Sequence, residues 1–367
     1  MRQITIQQND AGQRLDKFLA KSMPALPKGL MCKFIRTKHI KRNGKRCAIS
    51  DRLEPGDVLT FFIRDDFFPE HAPQQTPDFL KAPAKLDVVY EDTQVLILNK
   101  PVGLVVHADN GGTEDTLIHR VLHHLYQAGT YDPAGEQSFT PALCNRLDRN
   151  TGGLVIGAKT AAALRDVNEL IRSRQLRKQY LCVTAALPPR QQDRVQAYHR
   201  KQPAGNLVEI RDAPAEGFAP IDTEYRVLAQ EQGLSLVLVT LHTGRTHQIR
   251  AHLAHLGAPL LGDNKYGSVR ANRRYRVFTQ QLWAWRLGFP ELDGALAPLS
   301  GRIVTAPEVP SGKHCFPDCF ALGCYFRNPL MICSSASFSV SPRVISFISC
   351  SPAILPMAAS WIRDAST

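Results

Sequence analysis

The chain has 367 residues, and its 45 Lys or Arg against 33 Asp or Glu give a formal charge of +12. This length predicts two domains plus an appendage, and the positive charge favours a polyanionic partner if the cations cluster on one face. No apolar run approaches the ~20 residues that span a bilayer, and the first residues lack the apolar core of a signal peptide, so a cytoplasmic protein is expected and a membrane protein is excluded.

A small α+β module is predicted over residues 12–67. Apolar residues at helical spacing indicate one helix from near Gln13 and a second over residues 30–37. The pair Asn43-Gly44 suits the turn of a β-hairpin after the second helix. The turn at 55–57 then leads into a further strand.

The module is rich in cations. Between Lys17 and Ser50 the chain has ten Lys or Arg residues and no acidic residue. Such a surface would contact phosphates and give an affinity that falls with salt. A charge run is more often an ordinary solvated face, but the absence of any acid among these cations favours the phosphate-binding interpretation. The cations expected to share one surface are Lys33, Arg36, Lys38, Lys41, Arg42, Lys45 and Arg46.

A linker is predicted over residues 68–85, which lack apolar periodicity and contain several Pro and Gln. A second domain over residues 86–303 then begins with two short strands and an amphipathic helix at 115–126. His119 and His123 lie four residues apart on that helix, which is metal-ligand spacing. No Glu stands beside the first His, so a solvated or RNA-facing pair is favoured over a zinc site.

The stretch 141–160 is centred on one carboxylate. Asp148 stands between Arg146 and Arg149 on a predicted turn, just before the apolar strand 154–158. Neighbouring cations favour the ionised form of a carboxylate, which suits a nucleophile or a base. An Asp that merely pairs with Arg on a surface turn is the alternative, and these residues alone leave both interpretations open.

Two later strands carry further polar residues. Tyr180 lies in a predicted strand, where a tyrosine is more often part of the core than of a site. The apolar strand 234–241 leads into a polar, cationic stretch at 242–250 before a helix, a junction that suits backbone phosphates. The four histidines between 242 and 255 lack the spacing and the Cys or carboxylate partners of a zinc site, so no metal is expected.

In combination these motifs resemble known RNA-modifying proteins. The order RLDKFL, IRTKHIKRNGKR and LEPGDVL resembles the small RNA-binding domain named after ribosomal protein S four. Arg146-Leu147-Asp148, the Lys178-x-Tyr180 strand, GRTHQIRAH and LLGDNKYG are similar, in order and spacing, to the RluA-type family of ribosomal large-subunit pseudouridine synthases. That family usually has His at Asn145 and Ser at Gly152.

The resemblance implies a fold and a reaction. The fold is α+β, with a mixed, largely antiparallel sheet in the catalytic domain behind the RNA-binding module. The reaction isomerises uridine in RNA to pseudouridine without metal, cofactor or group donor. The target nucleotide must be flipped out of folded RNA to reach the site.

The resemblance also implies roles for single residues. Asp148 would act as the nucleophile or as the base that starts glycal formation, with Arg250 as its ion-pair partner. Tyr180 would stack on the uracil and help to remove the late proton. The residues expected to contact RNA around this site are Arg146 at the vacated position, and His107 and Arg245 near the backbone.

RNA is therefore the expected partner, with large-subunit ribosomal RNA favoured, transfer RNA left open, and a monomeric protein expected. One alternative is a non-catalytic RNA- or ribosome-binding protein that keeps the fold. The retained Arg146, Asp148, Tyr180 and Arg250 argue against it, since a binder has no need of that set. The other alternative is a zinc-dependent nucleic-acid hydrolase, which would contain bound metal.

An atypical tail is predicted over residues 304–367. From residue 311 it is rich in Ser, Cys, Phe and Pro and has only two acidic residues, Asp318 and Asp364. Its cysteines near His314 do not have the spacing of a zinc ribbon or finger. The tail is expected to be disordered and to lack a function of its own.

Overall fold

The elements of the computed structural model divide between a small N-terminal sheet and a much larger second sheet. The structure describes residues 1–68, 77–108, 112–202 and 206–307, which fall within one folded unit. Residues 308–367, which hold nearly all of the predicted tail, lie outside the described ranges. No helix within these ranges is long and apolar enough to cross a membrane.

The N-terminal sheet has four strands in the order β1-β4-β2-β3. Asn43 and Gly44 both have positive φ, as the predicted two-residue hairpin turn requires. The second helix begins at Lys28, earlier than predicted, because Pro27 is extended and can precede a first helical turn. The elements are β1 (Arg2–Thr5), α1 (Leu15–Ser22), α2 (Lys28–Arg36), β2 (Ile40–Arg42), β3 (Lys45–Arg46) and β4 (Val58–Phe61).

The first strand, β1, was not predicted. It pairs antiparallel with β4, with Arg2 opposite Phe61, and so it covers the edge of the small sheet. Its four residues alternate between half-buried and exposed, too short a pattern to identify a strand from sequence. The module therefore begins before residue 12.

The large sheet has eleven strands in the order β11-β10-β12-β13-β9-β14-β8-β6-β5, with β15 beside β14 and β7 beside β8. Every pairing in it is antiparallel except that of β14 with β8. The mixed, largely antiparallel sheet is thus confirmed. Its elements are β5 (Val88–Glu91), β6 (Val95–Lys100), α3 (Leu117–Gln127), β7 (Ala142–Leu143), β8 (Gly152–Ala158), α4 (Ala161–Arg172), β9 (Arg177–Thr184), β10 (Gln192–Lys201), β11 (Val208–Arg211), β12 (Ala219–Glu231), β13 (Leu234–Leu241), α5 (Gln248–His255), α6 (Val269–Tyr275), β14 (Leu282–Gly288) and β15 (Ile303–Thr305).

Two glycines at the start of β8 allow the close approach of β14. A Cβ on Gly152 would lie 2.0 Å from the ring of Trp283, and one on Gly153 would lie 2.2 Å from the carbonyl oxygen of Ala284. Gly153 also has φ +105°, which side chains rarely adopt. The parallel pair β8–β14 and the loop that precedes β8 are therefore fixed in place together.

Residues in the predicted linker before the second domain, and at the predicted start of the tail after it, are packed in the folded structure. Phe68 belongs to the N-terminal core, while Phe79, in a 3₁₀ helix at Asp78–Lys81, packs with α3 and Tyr131 in the core of the second domain. At the other end, β15 pairs with β14, and Val304 is buried. The fold extends past the predicted start of the tail, because β15 completes this side of the sheet.

Candidate active site

A cavity of about 570 Å³ contains the predicted carboxylate. The loop before β8 contributes Asp148 to its lining, and the start of α5 contributes Arg250. Among the described lining residues Asp148 is the one carboxylate. Its side chain is 28% exposed, so it is accessible to a bound molecule but sheltered on most sides.

Arg250 holds two carboxylates at once. Its Nη1 donates to Asp148 Oδ2 at 2.8 Å, while Nε and Nη2 donate to the two oxygens of Asp263 at 2.7 and 3.0 Å. Asp263 is completely buried. Burial alone would raise the pKa of Asp263, but Arg250 and the backbone N–H groups of Lys265 and Tyr266 outweigh it and lower that pKa. The arrangement fixes the guanidinium, which in turn orients Asp148.

His247 and Tyr266 complete the wall beside the carboxylate. His247 precedes α5 in the left-handed conformation, with φ 53°, and its Nδ1 lies 2.9 Å from the Tyr266 hydroxyl. Its Nε2 lies 3.8 Å from Asp148 Oδ2, and burial lowers its pKa. Neither residue was predicted for the site, although both lie within the motifs GRTHQIRAH and LLGDNKYG.

Tyr180 lies on β9, next to β14, the strand that pairs with the start of β8 after the Asp148 loop. It pairs with Ala284 of β14 and Val239 of β13, and it packs in a core cluster that includes Leu147. It is 8% exposed, and burial, together with the negative charge of Asp148, raises the pKa of its hydroxyl. Tyr180 is not among the described residues that line the cavity, but it lies near enough to Asp148 for the charge of that carboxylate to act on its hydroxyl.

Lys100 is a buried residue that the sequence reasoning missed. Its ammonium donates to the carbonyls of Pro101, Leu104 and Arg149 at 2.8, 2.8 and 3.1 Å. Burial lowers its pKa to about 7, and Asp148 opposes that shift. Three acceptors match the three N–H bonds of an ammonium, so Lys100 ties the turn after β6 to the residue that follows Asp148. A lysine inside an apolar strand, followed by Pro and Gly, was the available signal.

The predicted RNA-contacting residues of the second domain separate into two groups. Arg146 and His107 line the cavity, where burial and the charge of Arg146 lower the pKa of His107. Arg245 is exposed and is not part of the cavity lining; its backbone N–H donates to Gln248 and helps to begin α5.

The cations of the N-terminal module lie on α2, in the turn after it and on the hairpin, and one of them, Arg42, is already paired within the module. Arg42 contacts Asp57 at 2.6 Å and is 21% exposed, so it mainly fixes the turn before β4. This role lowers its availability to phosphates, because the guanidinium is already paired. The exposed members of the set are Lys33, Arg36, Lys38, Lys45 and Arg46, and Lys41 is half-buried over the ring of Phe62.

The two histidines of α3 at metal-ligand spacing have hydrogen-bonding partners of ordinary kinds. His119 contacts the carbonyl of Glu114, and His123 contacts that of Ala82. Across residues 1–68, 77–108, 112–202 and 206–307, no group of three His, Cys, Asp or Glu side chains is placed to hold a metal ion.

Comparisons with known proteins match both modules. Residues 94–255 match the family model described as RNA pseudouridylate synthase, and residues 13–59 match that of the S4 domain. A ribosomal large subunit pseudouridine synthase D of Xylella fastidiosa is 32% identical over 72% of this chain and 75% of its own length. A synthase C of Vibrio cholerae is 30% identical over 77% of this chain and 85% of its own length.

An uncharacterized RNA pseudouridine synthase of Synechocystis is 34% identical over 80% of this chain and 85% of its own length. Among solved structures, human RNA pseudouridylate synthase domain containing 1 is 22% identical, with a TM-score of 0.49, over 64% of this chain and 86% of that one.

Proposed function

The chain belongs to the RNA pseudouridylate synthase family, and we propose that Asp148 is the catalytic carboxylate acting on a uridine flipped out of large-subunit ribosomal RNA. As a member of this family the protein is an enzyme that isomerises uridine to pseudouridine. Assigning the chemistry to Asp148 rests on one observation above the others. Among the described residues that line the cavity of about 570 Å³, Asp148 is the one carboxylate, and a doubly paired arginine holds it.

The reaction requires little beyond a positioned carboxylate. The bond from uracil nitrogen one to the sugar breaks, a bond from carbon five to the same sugar carbon forms, and the proton of carbon five is replaced by one on nitrogen one. Asp148 would act either as nucleophile at the sugar, dividing a hard step into two, or as the base that starts glycal formation. Arg250 would keep the carboxylate oriented during both stages, because its Nε and Nη2 are fixed on Asp263.

Tyr180 is proposed to pack against the uracil while the base turns. Burial and Asp148 raise the pKa of its hydroxyl, so the phenol stays protonated at neutral pH. Stacking is therefore the favoured role, and the hydroxyl would assist the late proton transfer only by giving up its own proton as it accepts another.

The cations around the cavity fit a flipped nucleotide. Arg146 is exposed and lines the cavity two residues before Asp148, which suits the position that the base vacates. His107 lies on the same lining. Arg245, outside the lining, is proposed to contact the backbone further from the reacting sugar.

Large-subunit ribosomal RNA is proposed as the substrate because two similar proteins carry that name and because an S4 domain precedes the catalytic domain. The alternative substrate is transfer RNA. The cytoplasmic location and the monomeric state stay predictions.

The test compares cells that carry the parent chain with cells that carry Asp148→Asn, and maps pseudouridine chemically across total RNA. Loss of one or a few large-subunit ribosomal sites supports the proposal, and loss of transfer-RNA sites would replace the substrate. Asp166→Asn, an exposed carboxylate on α4, is the matched control and should lose no site. If Asp148→Asn changes no site while the protein still binds RNA, Asp148 is not the catalytic carboxylate.

A further inference from the structure

A second cationic surface lies on α6 and the residues after it. We call it the α6 surface. Between Asp263 and Glu291 the chain has six Lys or Arg and no acidic residue. The α6 surface consists of Arg270, Arg273, Arg274, Arg276 and Phe278, which are all exposed.

The helix itself points these arginines outward. Ala271 and Tyr275 pack on the core cluster that includes Leu234 and Leu236. Asn272 is buried between them. Positions 270, 273 and 274 share the opposite face, since residues three and four apart on a helix are neighbours. Sequence spacing and burial therefore give one outward face with three guanidinium groups.

The α6 arginines lack a carboxylate partner among the described residues, in contrast to three other exposed arginines of this protein. Arg172, Arg190 and Arg211 each lie within 3.2 Å of an acidic oxygen. Within the described ranges none of the four arginines of the α6 surface forms an ion pair; Arg274 instead lies over the ring of Tyr275. Like charges held close together without counterions cost free energy, so a polyanion would be favoured there.

The helix dipole does not account for the pattern. Cations in a last helical turn interact favourably with the dipole, which would explain Arg273 and Arg274. Arg270 lies in the first turn, where a cation is unfavourable. A partner with negative charge accounts for both ends of the helix.

The α6 surface is connected to the mouth of the cavity. Asn264, which lines the cavity, donates from Nδ2 to the carbonyl of Phe278 at 3.2 Å, and Gln280 lines the cavity two residues further on. Asn272 accepts from Gly262 N–H at 2.7 Å and donates to the carbonyl of Asp263 at 3.3 Å. The helix is thus fixed to the turn whose Asp263 holds Arg250.

Phe278 indicates what kind of polyanion fits. Phe278 is 61% exposed, so its ring is accessible to a bound molecule beside the arginines. Single-stranded nucleic acids bind where aromatic rings stack on bases and cations contact the backbone. We infer that the α6 surface is a second RNA-docking surface, which takes the unpaired strand that adjoins the nucleotide in the cavity. This inference rests on the proposed function, since it places a nucleotide of the same RNA in that cavity.

The test measures binding of the full chain to large-subunit ribosomal RNA transcribed in vitro, with Asp148→Asn as background so that turnover does not interfere. The triple variant Arg270→Ala, Arg273→Ala and Arg274→Ala should reduce the slope of log affinity against log salt by about 2, since each lost single-strand phosphate contact removes about 0.7. The triple variant Arg172→Ala, Arg190→Ala and Arg211→Ala makes the same change in net charge and should leave the slope unchanged.

Phe278→Ala tests the stacking component separately. It should weaken binding roughly fivefold or more at every salt concentration, because a base–aromatic stack does not release counterions. Leu187→Ala, another exposed apolar residue at 53% exposure, is its control and should not weaken binding.

Equal slopes of log affinity against log salt for the α6 triple and the control triple would overturn the inference. A smaller slope that is accompanied by a lower thermal midpoint would also overturn it, because the lost affinity would then come from unfolding. If the slopes are equal but cellular pseudouridine declines when the three α6 substitutions are made in the parent chain with Asp148 intact, the surface serves a protein partner and the RNA assignment is wrong. The measurement needs binding and not turnover, so it stays informative even if Asp148 proves not to be catalytic.

Discussion

At the scale of single residues, the site depends on one guanidinium that serves two carboxylates. Arg250 has a 7% exposed side chain, so its five donors are directed by packing and by the buried Asp263. Asp148 receives only one of its hydrogen bonds. The position of the Asp148 carboxylate is therefore set by Arg250 on α5 and not only by its chain neighbours, Leu147 and Arg149.

We predict that Arg250→Lys lowers the rate of pseudouridine formation by about a hundredfold, because an ammonium cannot hold both carboxylates and a misplaced catalytic group costs rate on that order. The measurement is release of tritium from RNA labelled at carbon five of uridine. Arg172→Lys, on the surface of α4, is the matched control. A variant with the parent rate and an unchanged thermal midpoint would show that Arg250 does not position Asp148.

Gly152 shows how a departure from a family pattern is explained by packing. The usual serine at this position would place its Cβ 2.0 Å from the ring carbons of Trp283. The chain therefore combines Gly152 with a large neighbour on β14.

Asn145, at the position of the usual histidine, bonds β8 through both ends of its amide. Its oxygen accepts from Ile156 N–H at 2.8 Å, and its nitrogen donates to the Leu154 carbonyl at 3.3 Å.

At the scale of elements, α5 is unusual in being buried on most of its surface. Residues 248–253 are all buried, including Arg250 and His252. The ring of His252 is completely buried, with Nδ1 3.0 Å from Thr223 Oγ1. Burial, assisted by His255, lowers the pKa of His252 to about 4, and Asp212 and Asp222 oppose that shift. A neutral imidazole is thus part of the helix that carries Arg250.

We predict that lowering the pH from about 6.5 to about 5 reduces the free energy of unfolding more in the parent than in His252→Leu. The difference between the two reductions should be about 2 kcal/mol. The unfolded histidine gains a proton over this range while the folded one, with its pKa of about 4, does not, so stability is lost as pH falls. Urea unfolding at several pH values measures the difference. An equal dependence of the unfolding free energy on pH in the parent and in His252→Leu would contradict the prediction.

The elements that sequence predicted best are those with a strong local pattern. The apolar residues expected on the inner side of α3 are all buried, and β13 has the predicted bounds, Leu234–Leu241. No prediction was made for β10 and β12. Their exposed faces mix polar and apolar residues, and they are ordered by pairing with distant strands and not by local propensity.

The same distinction applies to the site. Asp148, Tyr180 and Arg250 were predicted from motifs, and the structure places them near one another from a loop, a strand and a helix, while their roles stay predictions. Asp263 and Lys100 were missed because their importance lies in partners that are distant along the chain. Spacing alone carries no information about such contacts.

At the scale of the whole molecule, the S4 module is held against the second domain by polar contacts. Ser138 donates to Asp10 at 2.6 Å and accepts from Gln13 at 2.7 Å. A third contact comes from α4, where Arg165 donates to the carbonyl of Ala11 at 3.0 Å. These bonds fix the start of α1 relative to the large sheet, so the module's cations have a defined position with respect to the cavity.

We predict that replacing Lys33, Lys38 and Arg46 together by Ala raises the KM for ribosomal RNA and leaves kcat unchanged. These exposed side chains lie on α2, in the turn after it and on the hairpin, outside the cavity lining. They would therefore contribute equally to binding of the ground state and of the transition state. The increase in KM should shrink as salt rises, because the lost phosphate contacts are those that salt already weakens. Steady-state tritium release at low and high salt measures both constants, with the triple variant of Arg172, Arg190 and Arg211 as the control for net charge. A fall in kcat with unchanged KM would mean that the S4 module acts on the chemical step, through the contacts of Ser138 and Arg165, and not as a binding surface.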